Sequence, residues 1–180
     1  MKLVRTAQMT LRDLIGRRWV LILFLLVPMV FYAARRTDAG WQGMRMACMG
    51  LAWTVSTVSL FSAQSARGLE PRLKLAGIPT ASLFFGRCLT LIIVSVLVGA
   101  VYAGIVVVDQ DPLNGWAVAI ALLVSAAISV PLGLLVGILI PRDFEGMLIL
   151  IMIVGLQMIV DPDRTLAQGL PLWSTREFLT

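Results

Sequence analysis

The stretch "WAVAIALLVSAAISVPLGLLVGILI", Trp116 to Ile140, decides what kind of protein this is. It runs for 25 residues without one charged side chain. As a helix rising about 1.5 Å per residue it outreaches a hydrocarbon core of roughly 30 Å. No alternation of polar and apolar residues marks it as a strand, and an apolar run of this length reads as a membrane-spanning helix.

The rest of the chain agrees. The 180 residues are 59% hydrophobic and 14% charged, with a mean hydropathy of +0.92. Soluble domains carry about a quarter of their residues as charges. The composition therefore predicts an all-α, polytopic transmembrane helix bundle forming one domain over 1–180. The net charge of +5 bears on orientation rather than on nucleic acid, since no basic stripe is interleaved with stacking aromatics. The chain has no histidine, which removes histidine metal sites and Ser-His or Cys-His nucleophiles.

Working outward gives five spans: 19–34 with Pro28 as a kink, 46–66, 82–108, 113–140 containing Pro131, and 144–160. The last spans only by recruiting its flanks. Ahead of them, Leu3, Val4, Ala7, Leu11, Leu14 and Ile15 form one apolar arc over residues 2–18, with Lys2, Arg5, Arg12, Asp13 and Arg17 opposite. That pattern predicts an interfacial amphipathic helix. With the N-terminus inside, ten Lys and Arg fall in cytoplasmic segments and five outside, so the expected orientation is N-in, C-out in the cell membrane. Trp19, Trp41, Trp116 and Trp173 fall near the expected interfaces. Cys48 and Cys88 then lie toward opposite faces, too far apart for a disulfide.

Small residues recur at four-residue spacing: Ser125, Ser129, Gly133 and Gly137 in the fourth span, and Ser95, Gly99 and Ala103 in the third. Such seams let membrane helices approach closely, either as static packing or as a sliding interface. The second span carries Thr54, Ser56, Thr57, Ser59, Ser62 and Gln64, and the fifth carries Gln157. Ser56, Ser59, Gln64 and Gln157 are candidate lining residues of a translocation path, with interhelical hydrogen bonding as the alternative.

Between the second and third spans stands "RGLEPRLKLAGI", Arg67 to Ile78. Pro71 suits a helix start, Gly77 suits the left-handed residue just past a helix end, and Pro79 blocks continuation. A helix of about one and a half turns is not stable alone and needs a surface to dock on.

The amphipathic N-terminal segment, two spans, the "EPRLKLAGIP" segment and "LFFGRCL" entering a third span resemble the type-2 ATP-binding-cassette (ABC) exporter permeases. In that family the corresponding segment reads Arg-Glu-x-Gly-Thr-Leu-x-x-Leu-x-x-x-Pro and forms the coupling helix that docks on the ATPase subunit. The resemblance implies that Glu70, Arg72, Leu73, Lys74, Leu75, Gly77 and Pro79 contact the ATPase. Arg87 matches a basic residue at the start of the third span, and "PRDFEG" matches the inner loop before the fifth, adding Arg142, Asp143 and Glu145. "DPDRTLAQGLPLW", Asp161 to Trp173, corresponds to an outer re-entrant element within the outer segment 161–180. The sequence departs from the family twice. Leu69-Glu70-Pro71 replaces the Gly-Thr pair, and five spans stand where the family has six, a sixth being due where the sequence stops.

The only lysines are Lys2 and Lys74, and neither follows a glycine, so the sequence contains no Walker A motif. The expectation is a permease that is not itself an enzyme. It would bind no cofactor, with ATP and magnesium held by a separate P-loop ATPase, and would pair with a second permease chain in the bilayer. The cargo class the resemblance implies is a drug, lipid or glycan. Asp109 and Asp111 fall at an outer turn and no obvious acid lies in the interior of the spans, which weakens ion-coupled transport. The competing reading is a non-transporting membrane subunit, an immunity or scaffold protein, with no ATPase partner.

Overall fold

The computed structural model describes residues 8–12, 16, 18–37, 40–68, 70–75, 77, 79–112 and 114–159. Those residues are helical apart from short turns, with no strand among them. The helices from residue 18 onward with described bounds are, in order, α1 (Arg18–Ala34), α2 (Gly40–Ala66), α3 (Glu70–Leu75), α4 (Thr80–Gln110), α5 (Gly115–Leu139) and α6 (Asp143–Ile159). Among the described residues, three stretches are long and apolar enough to cross a membrane: Gln42–Ala66, Thr80–Gln110 and Gly115–Leu139. A shorter apolar helix covers Ile22–Ala34, and α6 has 17 residues. The N-terminal amphipathic segment lies largely outside the described residues. Within it 8–12 is helical and exposes Met9 and Leu11. The segment 161–180 lies wholly outside them.

Several boundaries differ from the sequence expectation, two of them tellingly. α2 begins at Gly40 rather than Met46, and α4 runs to Gln110 rather than Val108. Hydropathy marks where lipid ends, whereas a helix continues as long as its backbone bonds can be made. α4 stops where Asp111 adopts a left-handed conformation (φ 41°), its N–H bonding back to the Val107 carbonyl at 3.2 Å. An aspartate tolerates that conformation better than most residues, and Pro112 follows.

The core forms where α2 packs against α1, α4 and α5. Leu51, Val55, Leu122, Ala126, Val130 and Leu134 are essentially inaccessible. Pro28 costs α1 one backbone bond, and its turn fits directly against Gly50, where an added Cβ would come 2.9 Å from the Pro28 Cα. The opposite ridge of α4, Phe85, Leu89, Ile93, Leu97 and Val101, stands exposed at four-residue spacing. An apolar face of that kind is what a helix presents to lipid.

The seam of α5 packs against α2. Ser125, Ser129, Gly133 and Gly137 are all buried. A Cβ on Gly137 would meet Ala63 Cβ at 2.8 Å and the Leu60 carbonyl oxygen at 2.9 Å. The polar residues of α2 mostly satisfy themselves. Thr54 donates to the Gly50 carbonyl (2.6 Å), Thr57 and Ser56 to that of Trp53 (2.8 and 3.0 Å), and Ser65 to that of Phe61 (2.7 Å). Hydroxyls that bond back one turn need neither a partner helix nor water.

Candidate functional site

The charged segment after α2 is a six-residue helix with stops at both ends. Pro71 falls one residue inside its start, where a missing N–H costs no backbone bond. At the other end Gly77 takes φ +79°, and its N–H bonds to the Lys74 carbonyl at 3.0 Å. Pro79 is extended (φ −67°, ψ 143°) and serves as the N-cap of α4. Arg72, Lys74, Gly77 and Pro79 are exposed, Leu73 is half-buried, and Leu75 is 90% exposed. The side chain of Glu70 lies outside the described residues, as do Leu69, Ala76 and Ile78. α3 thus holds a cationic, apolar-tipped surface away from the core.

Arg67, just before α3, was not singled out as a contact from sequence. Its Nη2 lies 2.7, 2.9 and 3.1 Å from the carbonyl oxygens of Gly137, Ile138 and Ile140. These are among the last carbonyls of α5, which no intrahelical N–H can reach. A guanidinium there answers both the unpaired oxygens and the negative end of the helix dipole. Gln64 adds its Nε2 to the Ile140 carbonyl at 3.3 Å. No sequence signal could have assigned this pairing, because the partners are some seventy positions apart.

The turn that follows, Pro141–Arg142, opens α6 at the same end of the bundle. Arg142 pairs with Glu145 at 2.8 Å across one helical turn. Asp143 and Glu145 stand in the first turn of α6, where the dipole favours acids. All three charged residues are exposed, and so is Phe144. α3 and this turn are joined through Arg67, which bonds the end of α5 that leads into it.

The candidate path residues are placed differently from one another. Ser56 and Ser59 are fully enclosed, Ser56 lying in the packing of α2 against Gly133. Gln64 is half-buried near Gly146, its Oε1 without a hydrogen-bond partner. The side chain of Gln157 lies outside the described residues. A separate cleft of about 150 Å³ opens between α1, α2 and α6, lined by Phe31, Met49, Trp53, Ile151, Val154 and Gly155. There the Phe31 and Trp53 rings meet at a tilt of 60°, with centroids 5.8 Å apart, and the enclosed indole N–H of Trp53 has no partner.

A second polar cluster closes the opposite end. Asp109, in the last turn of α4, accepts hydrogen bonds from the Tyr32 hydroxyl and from both Arg36 Nη2 and Arg36 Nε, the latter at 2.7 Å. Gln110 Nε2 reaches the Tyr32 oxygen at 3.1 Å. Hydrogen bonding to Asp109, then its charge, raises the pKa of Arg36 above the ordinary arginine value. Asp109, expected at an outer turn, lies in the last turn of α4 and ties it to the end of α1. Among the described residues no group of three or more metal-ligating side chains occurs. No family model matches this chain, nor does any curated protein or solved structure.

Proposed function

We propose that this chain is the membrane-spanning permease subunit of an ATP-driven ABC exporter, working with a separate ATPase. The observation that carries the reading is α3, a helix too short to be stable alone, delimited by Pro71, Gly77 and Pro79 and presenting Arg72, Lys74 and Leu75 outward. In this reading α1 and α6 are the first and fifth spans, each about 25 Å long and helped across by its flanks. The N-terminus and α3 face the cytoplasm. Arg142, Asp143 and Glu145 border the same docking surface. ATP and magnesium belong to the partner chain.

Two permease chains pair in the bilayer, and a drug-like, lipid or glycan cargo moves outward between them. The face of α2 toward α6, with Trp53 and Met49 at the cleft, lines the path better than Ser56 or Ser59, which one chain encloses by itself.

The test is to tag the full chain, extract it gently from its native membrane and identify what co-purifies. A P-loop ATPase at stoichiometric amounts, lost when Arg72→Glu and Lys74→Glu are combined, is the expected result. A well-folded chain with no ATPase partner overturns the reading and leaves a non-transporting membrane subunit.

A further inference from the structure

We propose that Arg67 is the positioning residue that makes α3 and the cytoplasmic end of α5 move as one piece. The inference rests on the reading of α3 as the ATPase-docking helix. Arg67 stands one residue past the end of α2, and only Gly68 and Leu69 separate it from α3. Its guanidinium holds three carbonyls at the end of α5, from Gly137 to Ile140. Beneath that fastening the two helices interlock backbone to side chain. Gly137 sits against Leu60 and Ala63, and Gly133 against Ser56. α2 and α5 therefore cannot slide past each other without breaking close-packed contacts.

The consequence is directional. α3 packs lightly on the bundle, with Leu75 exposed and Leu73 half-buried, so a load on it passes along the chain, forward into α4 and back through its short tether. Were Arg67 absent, that load would reach α5 only through the interlocked packing deeper in the two helices. With Arg67 in place, it also reaches Ile140 and the Pro141–Arg142 turn, and so the start of α6. A lysine would keep the charge, but its side chain is shorter than arginine's, and all three contacts run through the outermost nitrogen, Nη2.

Hydrogen exchange of the full chain in lipid nanodiscs tests this in two steps. In the chain alone, Arg67→Gln should raise exchange over residues 138–146 by about tenfold while α4 stays protected, as local opening predicts. Arg67→Lys should fall between, and it carries the test if the glutamine variant does not fold. Unchanged exchange in both variants means that the fastening does not hold in solution, and it overturns the proposal whatever α3 binds. The co-purified ATPase with magnesium-ATP is then added. The wild-type chain should become protected over 70–75 and also change over 138–146. Arg67→Gln should bind the ATPase with unchanged Kd and protect 70–75, yet leave 138–146 unresponsive. Loss of ATPase binding in that variant would make Arg67 a contact rather than a positioning residue. A wild-type response confined to 70–75 overturns the transmission. No protection of 70–75 at all removes the docking reading, and this proposal with it, while the first step still reports whether the fastening exists.

Discussion

Gly133 of α5 lies directly on the backbone of Ser56 in α2: a Cβ added there would come 2.8 Å from the Ser56 Cα and nearer still to its carbonyl oxygen. The obstacle is main chain, which cannot rotate aside. Gly133→Ala should therefore cost at least about 2 kcal/mol, the scale of overpacking a filled core. Gly146→Ala crowds the flexible end of Leu60, with Gln64 Nε2 at ordinary contact distance, and should cost less than about 1 kcal/mol. Gly104→Ala, with nothing within 4 Å inside a long helix, should be neutral or stabilising by up to about 1 kcal/mol. Reversible denaturation in detergent ranks the three, and any other order contradicts the packing.

Gly77 is left-handed for a backbone reason alone, since nothing lies within 4 Å of an added Cβ. Gly77→Ala should strain the turn by about 1–2 kcal/mol, and Gly77→Asn by less. The cost falls on a segment with little packing, so it should appear as weaker ATPase capture with little change in global Tm. Equal capture by all three forms would show that the turn adapts freely.

The cluster at the far end should behave as a unit. Tyr32 and Arg36 share one acceptor, Asp109, so Tyr32→Phe and Asp109→Asn should destabilise less in combination than their separate effects predict. The Arg36 side chain is 58% exposed, and that of Asp109 20%. The ionic part should therefore shrink with salt, while the tyrosine part should not. Additive effects at every salt concentration would mean that the three do not interact.

The two thiols should differ in access. Cys48 is buried in the core, whereas Cys88 is half-buried near the start of α4. A small maleimide applied to the folded chain in detergent should modify Cys88 at least about tenfold faster than Cys48. Comparable rates would mean that α2 does not hold the centre of the bundle.

The sequence by itself determined the helices and the punctuation of the short one. Apolar runs of spanning length, a proline near one end of α3 and Gly77 before Pro79 at the other are local properties, and each constrains the backbone through its own chemistry. The Ser125–Gly137 seam was legible as a close-packing surface, because small residues at four-residue spacing line one helical face. Which helix would meet that face was not legible, and neither were the partners of Arg67 and Asp109. A guanidinium bonded to carbonyls seventy positions away leaves no local trace, since every residue has a carbonyl and only the fold decides which ones are left open. The same limit applied to the serines of α2. Their composition allowed a wet path, an interhelical bond or a bond to their own backbone. For Ser56 the tertiary structure chose the last, because Gly133 brings α5 too close to leave room for water beside it.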